Sequence, residues 1–475
     1  MSAPDRSWTI APTLLWFVAL LIPVLWIDGG VRALADRVRA PREARDPASA
    51  GPAFAAGPAV IPEAPASAAS RRSDGRTDDE ERSPRPDAVV PASRSKILAL
   101  EDVCVDGAPE DCKRWAMDGF YRAIDRSKRG ALGRPVRVSW YGDSVIATDV
   151  IPSRLRTRLQ DELGNGGPGF LFVVPPHRFC GHEAITRWSS SGWVAHAIST
   201  TLIPDGLYGV GGSTAETDDG KATIKLVSGT ASRAELYYLA QPRGGSVAIA
   251  ADGKPVAIVE TRSASKQPGH AVASVADGAA KFELLVTGKV RVFGLDLENA
   301  TGAVVDNLGV VSVNLKSFEA NRPEHFEAEL AHRGSDLVMI MIGANEAAWL
   351  LPGDRATRDY GARYSKLLAE FRTALPDASC LVVSPTDQAE AKDGGYVSRA
   401  VMPVLVKAQR DAARAAGCAF YSTYDWMGGS GSAARWFRKG LVGTDFQHLS
   451  HKGADRLADG LFGALMLAFQ KYASH

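Results

Sequence analysis

Arg137-Val138-Ser139-Trp140-Tyr141-Gly142-Asp143-Ser144 is the stretch on which the reading of this 475-residue chain turns. Polar and apolar residues alternate up to Trp140, as in a half-buried strand, and the run then breaks at glycine. A serine just past the carboxyl end of a strand, opening a helix, stands where an α/β sheet presents reactive groups. The helix N-terminus adds backbone N–H groups suited to a developing negative charge. Asp and Ser are also ordinary helix caps after a turn, so the assignment needs partners elsewhere in the chain.

A serine nucleophile needs a base for its proton and a carboxylate to orient that base. Near the C-terminus runs Gly443-Thr444-Asp445-Phe446-Gln447-His448-Leu449-Ser450, followed by an amphipathic segment from about Lys452 to Tyr472. Asp445 and His448 share one turn before that helix, a spacing that lets the carboxylate fix one imidazole tautomer and leaves the other nitrogen for Ser144. The plainer alternative makes Asp445 a cap and His448 a surface residue. His451 competes for the role of base, but it lies one turn further into the helix. A third piece is Asp336-Leu337-Val338-Met339-Ile340-Met341-Ile342, a nearly unbroken apolar run typical of a strand buried on both faces. It ends in Gly343-Ala344-Asn345-Glu346, where an asparagine amide can face an oxyanion.

These elements, in this order, resemble the SGNH/GDSL hydrolase family, whose blocks are Gly-Asp-Ser, a glycine, Gly-x-Asn and Asp-x-x-His. The resemblance implies Ser144 as nucleophile, His448 as base, Asp445 as its orienter and Asn345 as an oxyanion donor. It also implies an oxyanion hole completed by the Ser144 backbone and a glycine, placed at Gly309 in Val304-Val305-Asp306-Asn307-Leu308-Gly309-Val310. Block three carries Glu346 where many relatives have Asp, a departure expected to touch packing beside the site. No metal or organic cofactor is implied.

From Lys96 onward helix and strand patterns alternate, which predicts a flavodoxin-like parallel sheet with helices on both faces and every block on one sheet edge. Between about Ser191 and Ala303 the texture changes to short strand-like runs: Ala222–Val227, Glu235–Ala240, Ser246–Ala251, Val256–Thr261, Phe282–Val286 and Val290–Leu297. They read as a β-sandwich (191–303) interrupting a hydrolase domain formed by 96–190 and 304–475. That insertion narrows the resemblance to the peptidoglycan O-acetylesterase branch, in which a carbohydrate-binding-like module interrupts the fold. Gly-Asp-Ser-Val-Ile-Ala-Thr-Asp and Gly166-Gly167-Pro168-Gly169-Phe170 support the same branch. Trp188, Trp193 and Tyr208 sit at the junction, where they can stack on sugar rings or serve as packing.

Charge is balanced, with 55 Lys+Arg against 54 Asp+Glu, so nothing electrostatic favours nucleic acid. Trp8–Ile27 is free of charge and long enough to span a bilayer, so 1–27 reads as a membrane anchor or uncleaved signal. Ala33-Leu34-Ala35 offers the alternative of a cleavage site. Residues 28–95, rich in Ala and Pro, read as a disordered linker. Arginines after the span argue against export by the positive-inside rule. The linker, the cysteines and the resemblance argue for an inner-membrane protein with a periplasmic catalytic domain, or for secretion. Cys104 and Cys112 bracket a polar loop, and Cys380 and Cys418 open two strand-like runs; spacing leaves both pairing and free thiols open, with Cys180 over. His177, Cys180 and His182 make a loose cluster, in which a metal site would need a fourth ligand of matching geometry.

The expected activity is removal of O-acetyl groups from a cell-envelope glycan, probed against three alternatives: an O-acetyltransferase, a general lipase or thioesterase, and a non-catalytic glycan-binding protein. The acetylated glycan and, through the anchor, the membrane are the expected partners, with no obligate protein partner evident.

Overall fold

The computed structural model describes residues 98–474. The expected anchor (1–27) and linker (28–95) lie outside the described residues. Among those described, no helix is long and apolar enough to cross a membrane.

The α/β part is built in the expected alternation. Helix α1 (Asp118–Lys128) leads to β1 (Val136–Gly142), and the short α2 (Ser144–Ala147) and then α3 (Val150–Leu163) follow. After the insertion come β2 (Ala303–Gly309), α4 (Pro323–Arg333), β3 (Leu337–Met341) and α5 (Arg355–Ala374). The chain ends with β4 (Ser379–Val383), α6 (Met402–Ala415), β5 (Ala419–Tyr421) and α7 (His451–Ala473). The five strands pair in parallel in the order β2-β1-β3-β4-β5, the flavodoxin-like order. Alternation along β1 decides its two faces. Val136, Val138 and Trp140 pack with Met339 under α1, α3 and α7, whereas Tyr141 joins Val338 and Ile340 under α4, α5 and α6. Helix α4 went unread in the sequence because His325, Glu329 and Arg333 stand on its buried face in place of an apolar stripe.

The inserted module is an antiparallel network of nine strands with its own apolar core. It draws in strands before the expected boundary at 191: Gly169–Leu171 pairs with Leu295–Leu297, and Ile185–Ser189 pairs with Ala222–Leu226. The two runs expected at Phe282–Val286 and Val290–Leu297 are one strand, Lys281–Glu298. Gly288 and Lys289 look like a turn in sequence, but they form a bulge, marked by a register shift between Thr287 and Val290. Before the bulge this strand lies between Ser246–Ala251 and Ser213–Leu226; after it, beside Ala231–Ala240 and Gly169–Leu171. Gln267–Ala279, a strand not foreseen, pairs with Ala231–Ala240.

Both local disulfides are formed, Cys104–Cys112 and Cys380–Cys418, and Cys180 is a buried free thiol.

Candidate active site

Strand register assembles the site. Gly142 lies in register with Gly309 on one side and Met341 on the other, so β1, β2 and β3 end side by side. Ser144 follows two residues after Gly142, and Asn345 four after Met341. Helix α2, which Ser144 opens, is wedged between the two glycines. A Cβ on Gly142 would come within 2.3 Å of Ile146 Cγ1, and one on Gly309 within 2.3 Å of the Ala147 nitrogen. Asp143 caps α2, accepting a bond from the Val145 N–H at 3.0 Å. Capping and catalysis are therefore compatible here: Asp143 caps while Ser144 opens the helix.

Ser144 Oγ stands 2.7 Å from His448 Nε2, and His448 Nδ1 stands 2.6 Å from Asp445 Oδ2. The other Asp445 oxygen accepts the backbone N–H groups of Gln447 and His448, each at 3.0 Å. Partial burial would raise this carboxyl. The imidazole bond and the two backbone donors outweigh that and hold it below the usual carboxylate range. Asp445 does not cap α7; Ser450 does, through the Gly453 N–H. His451 is the first residue of α7 and exposed. The loop is stapled by Phe446, whose φ of 55° is left-handed and whose buried ring packs with Ala389, Ala433 and Phe437.

Asn345 Nδ2 donates to the Val313 carbonyl at 2.8 Å, which ties the β3 loop to the turn after β2 and leaves the second amide hydrogen for a ligand. Gly309 departs from expectation. Its N–H donates to Asn307 Oδ1 at 3.0 Å, closing a local turn, so it is not a free oxyanion donor. Its function in this structure is close packing against α2. The turn beyond it contains Ser312 at φ 66°, a left-handed non-glycine residue exposed beside Val313.

Beneath these groups lie two buried carboxyls, Asp143 and Glu346, which the sequence offered only as a cap and as a packing departure. Burial pushes Asp143 up to about 6 and Glu346 up to about 7, the latter also through the nearby Asp143 charge. Glu346 accepts the Leu315 N–H at 2.8 Å, and one oxygen of each carboxyl has no hydrogen-bond partner. Glu346 was legible only as the departure from Asp in block three; its burial came from the fold.

The aromatic candidates separate. Trp193 is partly buried on the module's core and donates Nε1–H to the Lys221 carbonyl at 3.3 Å, a packing role. Tyr208 is fully buried, its hydroxyl accepting the Ile203 N–H. Trp188 is exposed, but it stands in a module strand opposite Thr223 and not on a loop bearing a catalytic group. His177, Cys180 and His182 do not converge: His177 Nδ1 accepts the Phe179 N–H, and His182 lies beside Asp149. Among the described residues no group of three or more candidate ligands could hold a metal ion.

Residues 286–456 match the family model described as GDSL-like Lipase/Acylhydrolase family. The match includes Asn345, Asp445 and His448; Ser144 lies before it, across the inserted module. A solved peptidoglycan O-acetylesterase superposes with a TM-score of 0.64 at 22% identity, over 74% of this chain and 96% of that one. A family two carbohydrate esterase from Clostridium thermocellum in complex with cellohexaose reaches a TM-score of 0.23 at 12% identity, over 58% of this chain and 100% of its own. An acetylxylan esterase from Geobacillus stearothermophilus reaches 0.26 at 19% identity, over 34% and 73%. No curated protein matches the sequence.

Proposed function

We propose that this chain, which carries a hydrolase domain of the GDSL-like lipase/acylhydrolase family, is a serine esterase that removes O-acetyl groups from a cell-envelope polysaccharide, peptidoglycan foremost. The observation that carries this reading is the relay Ser144–His448–Asp445, with contacts of 2.7 and 2.6 Å at the carboxyl edge of the sheet. His448 takes the Ser144 proton through Nε2 as Oγ attacks the acetyl carbonyl. Asp445, kept ionised, holds the Nδ1–H tautomer and balances the imidazolium that forms. The Ser144 N–H at the start of α2 and the free hydrogen of the Asn345 amide receive the oxyanion. His448 then protonates the departing sugar hydroxyl, and water repeats the sequence to release acetate.

The fold likeness to a peptidoglycan O-acetylesterase supports the choice of substrate, because it extends over nearly all of that protein. The two disulfides support an oxidising compartment, in line with export of the domain beyond an anchor at residues 8–27.

The test is acetate release by the full-length protein from a small acetyl ester and from O-acetylated peptidoglycan, beside Ser144→Ala. Release from both that disappears in the variant is the expected result. Release from the small ester alone would retain the esterase and remove the wall substrate, and release undiminished in Ser144→Ala would overturn the mechanism.

A further inference from the structure

Four large aromatic side chains are more than half exposed among the described residues: Phe179, Trp188, Trp349 and Tyr396. Single exposed apolar residues need no explanation. Placement is what distinguishes two of these: Trp349 follows Asn345 by four residues, and Tyr396 packs on Phe446 of the Asp445–His448 loop.

Tyr396 is the best built of them. It belongs to the hairpin Ala389–Lys392 and Gly395–Ser398, closed by Asp393 and Gly394 in left-handed conformations. The base of this hairpin is fixed to the Asn345 loop and to the helix Ser432–Phe437. Gln388 Nε2 donates to the Ala344 carbonyl at 2.9 Å, one residue before Asn345. The buried Asp387 carboxylate accepts Ser398 Oγ at 2.7 Å and the Ala433 N–H at 2.9 Å. The Tyr396 ring lies on Phe446, with centroids 4.2 Å apart and planes at 34°, and Phe446 stands between Asp445 and His448 in the chain. One face of the tyrosine is therefore covered and held, while the side chain stays 55% exposed. Trp349 lies on the Asn345 loop, four residues after Asn345, and is exposed. Phe179 is less available, since Arg178 lies over its ring and His177 packs beside it.

We infer that Tyr396 and Trp349 are ring-stacking platforms for the pyranose units that flank the acetylated sugar of a polymeric glycan. The inference rests on the esterase reading above and adds where the strand runs: from the loop of Asn345 to the loop of His448. A flat, apolar ring pinned from behind loses little freedom when a sugar face settles on it. A small acetyl ester carries no flanking sugar for either platform to stack on.

The experiment compares kcat/KM on O-acetylated peptidoglycan with kcat/KM on a small acetyl ester for the wild type, Tyr396→Ala, Tyr396→Trp and Trp349→Ala. The polymer-to-ester ratio is expected to fall about five- to tenfold in each alanine variant, mainly through KM, and to recover in Tyr396→Trp. A ratio within about twofold of a polymer-active wild type would overturn the platforms and leave the esterase reading intact. If the wild type hydrolyses only the small ester, the wall substrate falls by itself while the serine esterase stands. The platforms are then judged by binding of soluble chitin oligosaccharides to Ser144→Ala: binding lost in Ser144→Ala/Tyr396→Ala upholds them, and no binding by Ser144→Ala overturns them. Thermal melts of each variant confirm folding.

Discussion

Two groups of charged side chains in this molecule are treated in opposite ways. At the carboxyl edge of the sheet, Asp445 and His448 keep 53% and 41% of their side-chain surface in solvent, and one short loop supplies both. On the face of the sheet that meets the inserted module, Arg333 is sealed at 1% exposure. It binds Asp306 through two nitrogens at 2.7 and 2.8 Å, Asp296 at 3.1 Å and Glu298 at 2.8 Å. Arg137 adds a bidentate pair to Glu298, and Ser139 Oγ donates to Asp306 at 2.8 Å. Burial favours the protonated form of both module carboxyls. Arg333 and Arg137 hold Glu298 below its usual range, whereas burial wins at Asp296 and pushes it up. The exposed group can exchange protons within a catalytic cycle. The sealed one fixes Asp296 and Glu298 of the module to Asp306 of the sheet. A charge that must change is left near water, and a charge that must hold is taken out of it.

The sharpest way to break this contrast is at the exposed group. Ser144→Ala or His448→Ala should lower acetate release by about 10⁴-fold or more while the melting temperature moves little, since neither side chain fills a core. A loss below about tenfold in Ser144→Ala would displace the serine from the mechanism. The sealed group should behave in reverse. Arg333→Met leaves buried Asp306 with no arginine and takes one from Asp296 and Glu298, and the expected cost is about 3–5 kcal/mol of stability, read as a lower denaturant midpoint. The surviving folded fraction should keep its turnover on a small ester. An unchanged midpoint would mean that the module is held by its apolar contacts alone. Asn345→Ala comes next, with turnover expected to fall by about 10²–10³-fold from loss of one oxyanion donor. The same change frees the Val313 carbonyl, so a parallel melt is needed to separate the two effects.

What the sequence shows and what it hides follow the same division. Ser144, Asn345 and the Asp445–His448 pair are legible because each needs only a local context: a strand end, a glycine and a short spacing. Gly309 shows the limit. Its place in the chain order is right, but a backbone N–H is assigned by geometry, and the Asn307 side chain three-dimensionally claims it. The apolar run of β3 is readable as a buried strand, whereas Gln267–Ala279, with Pro268, Gly269 and Gly278 among small and polar residues, exists only because Ala231–Ala240 pairs with it. The sealed ion cluster could not be read at all: Arg137, Asp296, Asp306 and Arg333 are meaningless as a set until β1, β2, α4 and the module strand are brought together.

The smallest effect tests where the two treatments of charge meet, at Glu346. This carboxyl lies below the exposed relay but is itself buried, with one oxygen unpartnered. Burial, and then the Asp143 charge, raise it from 4.5 to about 7. The folded protein therefore binds this proton more tightly than the unfolded chain does. By linkage its stabilising contribution is complete below pH 4.5 and is lost as pH rises to about 7. Glu346→Gln keeps the oxygen that accepts the Leu315 N–H and cannot ionise. Thermal melts at pH 5 and pH 8 should show the wild type losing more stability with rising pH than the variant, by a few degrees. Equal slopes would mean that solvent reaches this carboxyl freely and that Glu346 belongs with the exposed group. A reduced slope would place the boundary between the two treatments directly below Asn345, one residue from the proposed oxyanion donor.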